Sequence, residues 1–118
     1  MEKLFIPYEL SLLAKEKGFD EQCLALYTYT KERILIKTFI KQDEANLFFG
    51  GISAPLYQQI IDWFREKYNI IIVINQSKQD NSWYCHINRN SKCECAIHDI
   101  EFYYEIYNKA IEETFKLL

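Results

Sequence analysis

Residues 70–75 read Ile-Ile-Ile-Val-Ile-Asn, an apolar, β-branched run too short for a buried helix and bounded by polar residues. Such a run predicts a strand covered on both faces, and hence the central strand of a sheet. The sequence before it reads as a helix. Ser53 is placed as its N-cap, Pro55 falls in its first turn, and Tyr57, Ile60, Ile61, Phe64 and Tyr68 recur at helical spacing, so it should end near Asn69.

The remaining elements follow the same two periods. Leu10, Leu13 and Ala14 mark a helix from Pro7 to about Lys17, with Gly18 where a left-handed cap is wanted. Residues 23–40 hold two β-rich runs around Lys31-Glu32-Arg33, an antiparallel hairpin in which Ala25, Tyr27 and Tyr29 share one face. Residues 41–53 have no clean period, and the Gly50-Gly51 pair marks a loop before the helix start. Trp83-Tyr84-Cys85-His86-Ile87-Asn88 alternates as a strand, and Asp99 is placed as the cap of a last helix from Ile100 to about Leu117, with Tyr103, Tyr104 and Tyr107 on its buried side. The order is α-β-β-α-β-β-α. It predicts an α+β fold with a small antiparallel sheet of about four strands and helices mainly on one face. A chain of 118 residues suits a single domain spanning residues 1–118.

Composition narrows the function classes. The net charge of −3 lacks the basic excess by which nucleic-acid binders attract phosphate. Locally, Lys31, Arg33, Lys37 and Lys41 make a basic segment, whereas Glu94, Asp99, Glu101, Glu105, Glu112 and Glu113 make the C-terminal part acidic. Nineteen aromatic rings exceed what one small core hides, which places some on the surface as contact residues, in a homodimer or against another partner. The N-terminal segment lacks the apolar core of a signal peptide, and no apolar run approaches the roughly 20 residues of a membrane span. A cytosolic protein with reduced thiols and no membrane partner is expected.

Chemical motifs are sparse. The three glycines, at 18, 50 and 51, cannot form a phosphate-cradling loop, and no nucleophile elbow or helical His pair occurs. Catalysis is not expected, and no cofactor is implied. Residues 83–98 gather three of the four cysteines and both histidines. Cys85, Cys93, Cys95 and His98 are a conceivable tetrahedral zinc set, but one residue between Cys93 and Cys95 is fewer than zinc knuckles use. A thiol nucleophile built from Cys85 and His86 is disfavoured because neighbouring strand residues point apart. Tyr27 and Tyr29 with Arg33, Lys37 and Lys41 form a candidate stacking platform for single-stranded RNA.

The segment APLYQQIIDWFREK at 54–67 resembles small phage and prophage proteins of the Bacteroidetes group. The likeness extends to Tyr8-Glu9-Leu10 with the following helix, and to Tyr103-Tyr104-Glu105 with Asn108-Lys109-Ala110-Ile111-Glu112-Glu113. It implies a phage accessory protein acting in the host bacterial cytosol by binding a host component, as anti-CRISPR proteins do. The most concrete target is the RNA-guided type VI-B effector or its guide RNA; independently of the resemblance, the acidic helix offers Glu101, Glu105, Glu112 and Glu113 as candidate contacts to a basic RNA channel. The alternative is a small RNA-binding or structural-zinc module of phage origin.

Overall fold

The computed structural model describes residues 4–42 and 51–118, with the backbone alone for 36–40. The chain divides into two compact units, Met1–Tyr57 and Gln58–Leu118.

The first unit opens with helix α1 (Tyr8–Glu16), which buries Leu10, Ser11 and Ala14. Its end is set by Gly18 at φ 89°. There the Gly18 and Phe19 amides donate to the carbonyls of Lys15 and Ala14 at 3.1 and 2.9 Å, closing the last turn as a left-handed glycine allows. Strands β1 (Cys23–Tyr27) and β2 (Arg33–Ile40) form the expected antiparallel hairpin, with Tyr27 opposite Arg33 and a bulge between Cys23 and Ala25. A third strand, β3 (Ile52–Ala54), pairs antiparallel with the other edge of β1, so β1 is central.

Strand β3 departs from the sequence reading. Ser53 is a buried strand residue opposite Leu26 and caps no helix. Three residues are too few to display a period of two, and only the pairing with β1 makes them a strand. Gly51 permits the approach, since a Cβ there would collide with the Tyr27 carbonyl oxygen. The Gln42 side chain then occupies the outer edge, donating to the Gly51 carbonyl at 2.9 Å and accepting from the Ser53 amide at 2.7 Å. Phe5, Ala25, Tyr27 and Ala54 form the buried cluster on one side of this sheet, with Tyr8, Leu24 and Leu56 packed against it.

The second unit begins with helix α2 (Tyr57–Tyr68), whose buried residues are Ile60, Trp63 and Phe64. Asn69, at φ 55°, ends it by adopting the left-handed conformation that Asn tolerates. Strands β4 (Ile70–Gln76), β5 (Trp83–Arg89) and β6 (Lys92–Ile100) then run as an antiparallel meander, and helix α3 (Tyr103–Lys116) covers one face. The turn between β5 and β6 is the pair Asn90-Ser91, with φ 53° and 65°. Two left-handed residues give the turn whose twist matches that of the flanking strands. Ile70, Cys85 and Ile87 are fully buried on the helix-covered side, where α3 contributes Ile106, Ala110, Ile111, Thr114 and Phe115.

The fold is α+β with antiparallel pairing, as the sequence predicts, but in place of one sheet of about four strands the described residues form two sheets of three strands each. Strand β6 occupies the residues between the expected strand ending at Asn88 and the expected helix start at Ile100. Two register breaks, one between Ile87 and Asn88 and one between Trp83 and Cys85, insert extra residues on it and disguise its alternation. Asp99 therefore lies in β6 at φ 61° and does not cap α3, which starts at Tyr103 behind Phe102. The run at 70–75 is likewise an edge strand, not the central one. Ile71 and Val73 are 48% and 39% exposed, because α3 covers only one face of the sheet and β5 occupies its middle.

Candidate functional site

The most exposed aromatic surface of the second unit lies where β6 passes into α3. Glu101, Phe102, Tyr103, Tyr104 and Glu105 are five consecutive exposed residues. The sequence predicts Tyr103 and Tyr104 on the buried side, but the buried stripe of α3 begins only at Ile106, which leaves both rings of its first turn exposed. Phe102, Tyr103 and Tyr104 are 50%, 54% and 41% exposed. Tyr103 packs edge-on against Trp83, ring centres 5.0 Å apart, and lies 4.9 Å from Tyr107, while Phe102 and Tyr104 stack at 6.3 Å. Burial pushes the Tyr107 pKa up to about 12, helped by the hydrogen bond in which the Tyr107 hydroxyl donates to Tyr103. This keeps the phenol protonated within the ring cluster.

Carboxylates border these rings. A shallow hollow is lined by Asp80, Asn81, Ser82, Asp99 and Glu101. It shares Asp80, Ser82 and Asp99 with a neighbouring hollow of about 370 Å³ that reaches Tyr84, His86 and His98. Asp80 is held below the usual carboxylate range by hydrogen bonds from the Ser82 hydroxyl and amide, at 2.8 and 3.0 Å, so it is ionised. Tyr84 stacks on His98 at 6.0 Å and lies 5.7 Å from His86, all three on the face opposite α3. Rings beside fixed carboxylates suit a guanidinium, which stacks on one and pairs with the other.

The predicted acidic residues fall into two groups. Glu101 and Glu105 flank the exposed rings and have no ion-pair partner among the described residues. Glu113 lies 3.0 Å from Lys116 and 3.9 Å from Lys109, and Glu112 lies 3.9 Å from Lys116, a neutralised patch nearer the helix C-terminus. Asp80, Tyr84 and Phe102 are not site residues in the sequence reading, where His86 enters only as the disfavoured partner of Cys85 and Asp99 as a helix cap and part of the acidic C-terminal segment. The Glu-Phe-Tyr-Tyr-Glu string carried the signal, since two carboxylates enclosing three rings sit poorly on a buried helix face.

The basic hairpin is arranged differently from the predicted platform. Tyr27 is buried, its hydroxyl donating to the Ile6 carbonyl at 2.6 Å, and burial raises its pKa. Tyr29 is 83% exposed and stands in the turn, so the two rings do not share an open face. Arg33 lies over the Phe5 ring at 5.3 Å, and Lys31 over Tyr8 at 5.1 Å. Lys41 is exposed, and the side chain of Lys37 lies outside the described residues.

The cysteines and histidines are split across the second sheet. Cys85 and Cys95 belong to the face turned towards α3, since Cys85 pairs with Ile97 and Cys95 with Ile87. Cys93, opposite Asn88, and His98 belong to the other face. Four ligands on two sides of a sheet cannot meet at one ion. Among the described residues, no group of three or more His, Cys, Asp or Glu side chains is gathered to hold a metal. Among the same residues, no helix is long and apolar enough to cross a membrane. Comparison with known protein families, curated proteins and solved structures gives no match for this chain.

Proposed function

We propose that this chain is a non-enzymatic binding protein that inhibits a host defence nuclease by docking its acidic, aromatic surface on a basic region of the target. The carrying observation is the string from Glu101 to Glu105, in which three exposed rings lie between two carboxylates that have no ion-pair partner among the described residues. Buried aromatic anchors supply most of the energy of an interface, and complementary charge steers and orients the encounter. An RNA-binding channel, rich in Arg and Lys, is the complementary target for such a surface. Its cations are engaged by Glu101, Asp99 and Asp80 while Phe102 and Tyr104 stack on them. The resemblance to phage and prophage proteins gives the setting, the host bacterial cytosol. It also gives the target class, an RNA-guided type VI-B effector or its guide-bearing surface.

The test is target-RNA cleavage by a purified type VI-B effector loaded with guide RNA. The wild-type chain suppresses cleavage, and the quadruple variant E101Q, F102S, Y104S and E105Q suppresses it at least about tenfold less, equivalent to losing about 1.4 kcal/mol. E112Q with E113Q, which removes carboxylates already paired with lysines, changes little. Full cleavage in the presence of the wild-type chain excludes this effector as the target, and an inhibitor indifferent to the quadruple change excludes this surface.

A further inference from the structure

The two outer strands of the second sheet are built in opposite ways. β6 carries Lys92, Glu94 and Asp99 and is broken by two register shifts, features that keep foreign strands from pairing. β4 has none of them. All seven of its residues pair with β5 in unbroken register, it holds no charge and no proline, and five of the seven are Ile or Val. Among the described residues it has one strand neighbour, so alternate amides and carbonyls point away from the sheet. An edge of this kind is a template for another strand.

We propose that β4 is a self-association edge, on which a second copy of this chain pairs antiparallel through a two-fold axis at Val73. Three observations favour a second copy. Val73 is the middle residue of the strand, so the pairing sets Val73 against the partner's Val73 and Ile72 against the partner's Ile74, β-branched pairs that stabilise antiparallel ladders. The strand is uncharged in a chain of net charge −3, so two copies meet where like charges are absent. Beside the edge runs a groove of about 280 Å³ lined by Ile61, Arg65, Ile72, Ile74 and Tyr107, which receives the partner's apolar side chains. At its rim Arg65 is paired with Asp62 at 3.3 Å, so each copy brings both charges, a self-complementary set. The pairing joins two three-stranded sheets edge to edge and leaves the surface around Glu101 on other elements.

Sedimentation equilibrium up to about 100 µM tests this directly, with V73K, which places two lysines at the axis, and Y29K as a matched charge change elsewhere. The wild type and Y29K form a reversible dimer, and V73K weakens it at least about tenfold. A second variant does not rely on V73K folding. In a C93S, C95S background, V73C oxidises to a covalent dimer, since facing strand residues lie about 4.5–5.5 Å apart, within disulfide reach, while Y29C stays monomeric. A wild-type chain monomeric at the highest concentration overturns the proposal. So does a monomer whose β4 amides gain exchange protection only when another protein is added, which assigns the edge to that protein.

Discussion

Single residues in this protein are decided by which face of a strand they occupy. Cys85 and His86 are neighbours in sequence, yet one is fully buried under α3 and the other lies with Tyr84 and His98 on the opposite side. Burial pushes the Cys85 thiol up to about 11, which leaves it protonated and unreactive at neutral pH. Cys93 is exposed, and Cys23 is buried. A thiol-reactive disulfide reagent at pH 8 is therefore expected to modify Cys93 first and to reach Cys23 and Cys85 only as the chain unfolds. Counting modified thiols by mass spectrometry against time checks this, and early labelling of Cys85 contradicts its placement. Replacing Cys85 with Ser sets a hydroxyl among apolar neighbours and is expected to cost about 1–3 kcal/mol in a denaturant titration.

At the scale of elements, local chemistry sets the ends and tertiary pairing sets the identities. Gly18 and Asn69 stop α1 and α2 because left-handed backbone comes cheaply to those residue types. The turn Asn90-Ser91 needs two left-handed residues, and Ser is a poor occupant of the second position. Ser91→Gly is expected to stabilise the β5–β6 hairpin by about 0.5–1 kcal/mol, whereas Ser91→Val destabilises it by at least as much. Urea midpoints at unchanged slope are the measurement, and equal stability of the two variants would mean a different turn. The third strands were not legible for physical reasons. β3 has three residues and exists through pairing with β1, and the extra residues in β6 shift the period that would have revealed it.

At the scale of the whole molecule, stability is tied to protons held on buried groups. The unfolded Cys85 thiol ionises near pH 9, whereas folded Cys85 keeps its proton to about 11, and burial raises Tyr27 and Tyr107 as well. A group whose pKa is raised on folding contributes stability below its unfolded pKa and loses it as pH rises, so melting temperature is expected to fall between about pH 9 and 11. C85A flattens that slope, since each such group contributes up to about 1.4 kcal/mol per pH unit. A melting temperature unchanged across this window contradicts it. Taken alone, the sequence determined the α+β class, the three helices with their C-terminal ends, and the antiparallel pairing of neighbouring strands. Periodicity, left-handed stops and β-branched runs act within a few residues of chain, and they carry that information. The tertiary structure alone decided that Ile70–Gln76 lies at an edge, that Tyr27 is core, and that Phe102 and Tyr104 are exposed beside Glu101. Those outcomes depend on which strands pair and which face α3 covers. A run of isoleucines reads the same whether one face or both is buried.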